Sequence, residues 1–386
     1  MADIEVQGTV APGYEGVRDA LAANLQSGND VGASACVTVD GRVVADVWGG
    51  HLDEARTEPW QEDTIINVWS TTKTMAALSA LVLADRGELE FDAPVARYWP
   101  EFKAAGKEEV EVRHLLSHNS GLSGWQEPME PTDLYDWERC TSLLAAQEPW
   151  WEPGSASGYH AITQGYLVGE VVRRVTGRTI GEFFASEIAG PLGADFHIGT
   201  APEHDHRVAP VIPPPEVDLG TAVAALGPDS VAVRTLSNPR VDASQSFEVD
   251  WRRAEIPAAG GHGNARSVAR VQSVLACGGE VDGVRLLSEE GCAKVLEEQS
   301  SGPDLVLQMP IRFGLGYGLT SPQMPLGPNP RTCFWGGWGG SLVLVDQDAR
   351  MCIAYVMNKM GEGTVGDFRG AGIAFGAFAG LAATTG

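Results

Sequence analysis

Apolar positions along this chain repeat with a helical period in some stretches and gather into short β-rich runs in others. Val17, Leu21 and Leu25 recur at a spacing of four, which predicts a helix over residues 14–26. Two β-rich runs follow, Ala33–Val39 and Val43–Trp48, separated by Asp40-Gly41, a dipeptide suited to a tight hairpin turn. Met75, Leu78, Leu81 and Leu83 predict a helix from about Thr71 to Arg86, ending near Gly87. Residues 96–200 read as helix and loop, with helices near 133–147 and 160–176, the second stopped by Gly177. Residues 201–255 show no clean period and contain the proline run Pro213–Pro215. They read as a long surface excursion, a feature that is often functional in a compact fold. After Gly263 a helix is predicted to about Ala276. The β-rich segments Ser341–Val345 and Met351–Met357 come next, and the Gly- and Ala-rich tail Gly370–Ala383 reads as a closing packed helix. Internal repeats and low-complexity tracts are absent.

Strands at both ends with helices between them imply an α/β (α+β) fold. Residues 1–95 and 256–386 would form one discontinuous α/β lobe, with an antiparallel sheet flanked by the first and last helices. Residues 96–255 would form an inserted, mainly helical lobe, and the cleft between the two is where an active site is expected.

Composition narrows the class. The chain has 386 residues, 44% hydrophobic and 20% charged, the profile of a soluble globular protein. Its formal net charge of −24 argues against nucleic acid or an anionic membrane as partner, because both need a basic surface. No window approaches the roughly 18 apolar residues of a membrane helix. Met1–Pro12 carries Asp3 and Glu5 and no basic or apolar stretch, so a cytoplasmic location is expected. Six cysteines without a CxxC pair read as buried thiols.

Candidate chemistry centres on Ser70-Thr71-Thr72-Lys73, an S-x-x-K at the start of a predicted helix. Residues three apart share a helix face, so the lysine amine can reach the serine hydroxyl. A free amine can take the serine proton, and burial and the positive helix N-terminus both disfavour the ammonium. Alone, a tetrapeptide is weak evidence. Its place sharpens it, after the apolar run Ile65, Ile66, Val68 and at the head of an apolar helix. Other arrangements are poorer. A G-x-S-x-G string is absent. His114 and His118 are spaced i, i+4, but Leu115 stands where a zinc peptidase needs glutamate. His204-Asp205-His206 falls in the irregular excursion, and Gly260-Gly261-His262-Gly263 lacks the spacing and the lysine of a phosphate loop. No metal and no cofactor is therefore expected.

Five ordered blocks give the chain a family resemblance. They are Val68-Trp69-Ser70-Thr71-Thr72-Lys73, Leu115–Leu122, Glu152-Pro153-Gly154 with Tyr159, Ala259-Gly260-Gly261, and Trp335-Gly336-Gly337 within Phe334–Ser341. In these the chain resembles the serine β-lactamase and penicillin-binding-protein superfamily, and specifically class C β-lactamase-like esterases, the family VIII carboxylesterases. The resemblance implies a serine β-lactamase-like two-lobed fold and a carboxylesterase acting on a small-molecule ester through an acyl-enzyme on Ser70. Alternatives with the same chemistry are a β-lactamase, a D-amino-acid peptidase or amidase, and an acyltransferase; a non-catalytic penicillin-recognising protein is a further one. The resemblance also implies that Tyr159 bridges Ser70 and Lys73 as a proton shuttle; a phenol of lowered pKa could deprotonate the serine, so either Lys73 or Tyr159 can be the base, as a coupled pair. It places the backbone N–H groups of Ser70 and Trp338 as an oxyanion hole. Trp335, Gly336 and Gly337, on an edge strand beside the cleft, and His160 would contact substrate. Two departures stand out. Lactamases of this class have Tyr-x-Asn and Lys-Thr-Gly, where this chain has Tyr159-His160-Ala161 and Trp335-Gly336-Gly337.

Overall fold

A computed structural model describes residues 5–214 and 225–385. Nine strands form one sheet: β1 (Val6–Val10), β2 (Gly32–Val39), β3 (Arg42–Gly50), β4 (Ser300–Pro303), β5 (Pro310–Phe313), β6 (Gly318–Leu319), β7 (Thr332–Gly336), β8 (Leu342–Asp346) and β9 (Met351–Met357). Their order is β1-β3-β2-β9-β8-β7-β6-β5-β4, and all neighbours are antiparallel. Pairing of β2 with β9 joins the two ends of the chain, with Ala33 opposite Met357 and Val39 opposite Met351.

The helices that matter below are α1 (Glu15–Ser27), α2 (Thr72–Asp85), α3 (Trp137–Ala146), α4 (Thr163–Thr176), α5 (Val231–Ser237), α6 (Ala265–Ala276) and α7 (Phe368–Thr385). Helices α1 and α7 pack together over one face of the sheet, and α6 lies over the other. Alternation of side chains along the strands shows this directly. Ser34 and Thr38 meet α6, through the Ala265 N–H and the Ser273 hydroxyl. Tyr355, opposite Ala35, points the other way, and its hydroxyl donates to Asp30, which Arg369 of α7 also binds. With both faces covered, β8 and β9 are buried along their whole length and read as continuous apolar runs.

Local signals correspond closely to the elements. Asp40 and Gly41 both have positive φ, 50° and 75°, as the tight β2–β3 turn requires. Gly177 ends α4 in the left-handed conformation at φ 71°. Other boundaries differ. The helix expected over 133–147 begins only at Trp137, because the Asp136 side chain caps it by accepting from the Arg139 N–H. The helix expected from 160 begins at Thr163, after the Ala161 carbonyl has been given to Lys73.

The excursion is a correction. Residues 201–255 contain the short turns Pro202–Arg207 and Ala243–Phe247 and the helices α5 and Val249–Arg253. One or two turns are too short to register as a period. Part of the proline run, Pro215, lies outside the described residues. A second correction concerns β7, which is an interior strand between β8 and β6 rather than an edge. Strand β6 has only two residues and pairs with Cys333 and Phe334, so Trp335 and Gly336 extend past it and have a ladder partner on one side only.

Helix α2 runs through the middle of the molecule, with every residue from Thr72 to Leu83 buried. It is not amphipathic, because α4 covers one side and the short helices Ile180–Phe184 and Glu289–Ala293 also pack against it. Among the described residues no helix is long and apolar enough to cross a membrane. All six cysteines are free and buried.

Candidate active site

The chain enters α2 through a tightly fixed turn. Ile66–Asn67 pairs with His262–Gly263, which pairs in turn with Phe196–His197. The Val68 N–H donates to the Gly261 carbonyl at 2.9 Å, and the Gly261 N–H to Thr72 Oγ1 at 3.0 Å. A Cβ on Gly261 would sit 2.6 Å from that hydroxyl, so the close approach needs glycine. Trp69 then takes a φ of +49°. A left-handed bulky residue costs about 1–2 kcal/mol, and such strain persists only where packing over-determines it. Here the Trp69 ring is packed against Trp251 and Trp338, with centroids 5.6 and 5.0 Å away.

Ser70 follows this strained residue, 8% exposed, at the head of α2. Lys73 Nζ lies 3.0 Å from Ser70 Oγ, 2.7 Å from the Ala161 carbonyl oxygen and 2.9 Å from that of Ala258. A neutral amine has two N–H donors and one lone pair. The two carbonyls take the donors, and the lone pair is left facing the Ser70 hydroxyl. Burial without a carboxylate partner pushes the Lys73 pKa well below its ordinary value. Burial and the place at the helix N-terminus therefore favour the free base, and this hydrogen-bond geometry accommodates it.

Tyr159 Oη donates to Ser70 Oγ at 2.7 Å, and its ring lies 4.8 Å from Lys73 Nζ. Its pKa is raised, not lowered as a phenol acting as the base would need. Burial is the main cause, and the hydrogen bond to Ser70 and the nearby Trp335 only partly offset it. The resting site thus pairs a free amine with a protonated phenol across one hydroxyl.

Strand β7 delivers the other half. Beyond Gly336 the chain turns at Gly337–Gly340 into β8. Ser341 Oγ donates to the Val68 carbonyl at 2.8 Å and lies 2.9 Å from Thr71 Oγ1. A Cβ on Gly337 would meet Ser341 Oγ at 2.3 Å and the Val68 oxygen at 2.4 Å, so glycine is what lets the turn seat against the nucleophile segment. Arg369, buried between Asp30 and Asp367, reaches the Gly339 carbonyl from α7 and holds the turn from behind. Among the described residues, neither the Ser70 nor the Trp338 backbone N–H donates to a protein acceptor. Ser341 closes the Phe334–Ser341 block, but its bonds to Val68 and Thr71 span about 270 residues and leave no local signal, and Arg369 lies in no motif.

The remaining sequence candidates fall elsewhere. Trp335 is 1% exposed and packs with Tyr159, Val306, Ile311 and Phe313, so its ring supports the phenol and offers no face to solvent. Gly336 meets the Val365–Gly366 backbone closely. His160 is fully buried, with Nε2 on Ser120 Oγ at 2.7 Å and Nδ1 on the Gly158 carbonyl at 2.5 Å. That Ser120–His160 pair resembles a catalytic dyad, but both residues are sealed from solvent, and His160 has a carbonyl where a triad places a carboxylate. Among the described residues, no three His, Cys, Asp or Glu side chains are gathered as a metal site.

Burial of imidazoles has a measurable consequence. Desolvation lowers His160 and His262 to about 3, and His118, between Tyr159 and His160, falls well below its ordinary value. The unfolded chain therefore binds more protons between about pH 3 and 6.5, and stability falls as pH drops through that window. Asp30, raised to about 6 by burial, acts in the opposite sense between about 4 and 6. The three buried histidines outnumber the one aspartate, so stability should fall as pH drops toward 5. Urea midpoints at pH 7.0, 5.5 and 4.5 should drop steeply; a flat profile down to pH 4.5 would contradict the neutral, buried histidines.

A family model described as Beta-lactamase matches residues 17–377. The esterase/beta-lactamase LipL of Mycobacterium tuberculosis (strain ATCC 25618 / H37Rv) is 35% identical over 364 residues, covering 92% of this chain and 83% of LipL. Esterase EstB of Burkholderia gladioli is 34% identical over 206 residues, 47% of this chain and 52% of EstB. Among solved structures, a family VIII carboxylesterase superposes with a TM-score of 0.90 at 42% identity, over 97% of this chain and 99% of that one.

Proposed function

This chain belongs to the beta-lactamase family, and we propose that it is a serine carboxylesterase whose acyl-enzyme forms on Ser70. The observation that carries this is Ser70 Oγ held between Lys73 Nζ at 3.0 Å and Tyr159 Oη at 2.7 Å. Similarity to LipL, EstB and the family VIII carboxylesterase supports ester hydrolysis as the reaction.

The steps follow from the protonation states. Lys73, as free amine, takes the Ser70 proton while Ser70 Oγ bonds to the ester carbonyl carbon. The carbonyl oxygen becomes an oxyanion, and the Ser70 and Trp338 N–H groups are placed as its donors. Collapse of this intermediate breaks the bond to the alcohol oxygen. The departing alkoxide takes the Tyr159 proton, and the phenol is refilled from the Lys73 ammonium. Water then adds to the acyl carbon by the same relay and releases the acid. Lys73 is thus the base of the first step, with Tyr159 the proton carrier.

We place this site in a cleft between a lobe of residues 1–95 and 256–386 and a mainly helical lobe of 96–255. Supporting the division, all nine sheet strands lie within residues 6–50 and 300–357. A small-molecule ester is the partner, and a soluble, cytoplasmic enzyme is part of the same reading.

Esters should be strongly preferred to β-lactams. Ala161 presents a methyl group where a lactamase has an asparagine amide. Trp335, buried against Tyr159, leaves no cation for a lactam carboxylate. A lost charge-assisted contact costs about 1.5–3 kcal/mol and a neutral one less. Together the two losses come to about 2–4.5 kcal/mol, so nitrocefin kcat/KM should be at least about 30-fold below that for p-nitrophenyl butyrate. Because LipL carries both names, a measurable lactam activity is the second reading. Equal efficiency on the two substrates would put that reading first.

A further inference from the structure

We infer that Asp304 is a positioning residue that holds Tyr159 within reach of Ser70. The inference rests on the proposed role of Tyr159 and adds a residue to it. Asp304 is buried, and one oxygen, Oδ1, accepts three backbone N–H groups: Tyr159 at 3.0 Å, Val306 at 2.9 Å and Leu307 at 2.8 Å. The turn it closes is tied by the Asp304 N–H to the Met309 carbonyl and by the Gln308 N–H to the Asp304 carbonyl, both at 3.0 Å. The Leu305 N–H donates to the Ser157 carbonyl at 2.9 Å. Residues 157 and 159 are thus clamped to one turn on either side of Gly158. The Gly158 N–H is itself held from another direction by the His118 carbonyl at 2.9 Å.

The same turn holds the ring. Val306 packs with Tyr159, Trp335, Ile311 and Phe313 in an apolar cluster separate from the main core. Backbone and side chain of Tyr159 are therefore both fixed by the segment that Asp304 organises. The other carboxyl oxygen, Oδ2, is buried with no hydrogen-bond partner, and Asp304 forms no ion pair among the described residues. Burying such a group costs free energy, so bulk stability alone does not explain it. What the site gains is a single acceptor strong enough to gather three N–H donors beside the phenol. Misplacing a reacting group by about 1 Å can cost on the order of 100-fold in rate, which gives the clamp its value.

A double-mutant cycle tests this on the full-length enzyme with p-nitrophenyl butyrate. Asp304→Ala should lower kcat by about 10- to 100-fold, with KM within about twofold. Asp304→Asn keeps an oxygen acceptor for the three N–H groups and should restore kcat to within about threefold of wild type. In a Tyr159→Phe background, Asp304→Ala should cost less than about threefold, because the residue acts through the phenol. Should Asp304→Ala give no cooperative melt, Asp304→Ser, whose short hydroxyl cannot span all three donors, carries the same cycle. An equal loss in both backgrounds, or unchanged kcat in the single variant, would overturn the proposal. Full activity of Tyr159→Phe alone would instead overturn the role of Tyr159, so the two failures are distinguishable.

Discussion

Ser70→Ala is expected to abolish ester turnover, with kcat down by at least about 10⁴-fold, while the melting temperature stays within about 3 °C. The chemistry leaves no substitute. Ser120 is the nearest rival by its histidine partner, yet it is sealed from solvent. Ser341 is bonded to the Val68 carbonyl and Thr71 and is also buried. Stability should hardly change, because Lys73 keeps its two carbonyl partners when the hydroxyl goes. Intact-mass spectrometry after treatment with a p-nitrophenyl alkylphosphonate should show one adduct on wild type and none on the variant. An adduct that persists and maps to Ser120 or Ser341 would refute the assignment.

Lys73→Ala and Tyr159→Phe should each lower kcat by about 10²- to 10⁴-fold, the usual worth of a positioned acid or base. The double variant should be no more than about tenfold worse than the poorer single. Both residues touch the same oxygen, so removing either interrupts one relay, and groups acting as a unit are strongly non-additive. The two singles should differ in stability. Lys73→Ala strips the Ala161 and Ala258 carbonyls of their donor in a buried site, at about 1–3 kcal/mol for each orphaned acceptor. Tyr159→Phe removes only one hydroxyl and should melt close to wild type. Losses that multiply fully in the double variant would show two independent devices and count against the shared relay.

Much of the fold was legible along the chain. The repeat of Val17, Leu21 and Leu25, the Asp40-Gly41 turn and the apolar run at Met351–Met357 all correspond to observed elements, because period and turn chemistry are local properties. The S-x-x-K spacing similarly fixed that Lys73 and Ser70 share one turn of helix. Tertiary structure decided the rest. That α2 is buried on all sides depends on what packs against it, and this burial lowers the Lys73 pKa, while burial in a separate apolar cluster raises that of Tyr159. The option of a phenol of lowered pKa fails for that reason, since desolvation has no signature in a tetrapeptide. Trp335 looked like a substrate surface and proved to be packing, because neighbours 20 to 180 residues away cover it. Asp304 and Arg369 lie in no motif and Ser341 only closes one, and all three acquire roles only when backbone groups from distant segments converge on them. Local spacing determined which groups this protein has available for chemistry; long-range packing set their charge, their partners and their access to water, because those depend on burial, and burial is a property of the whole fold.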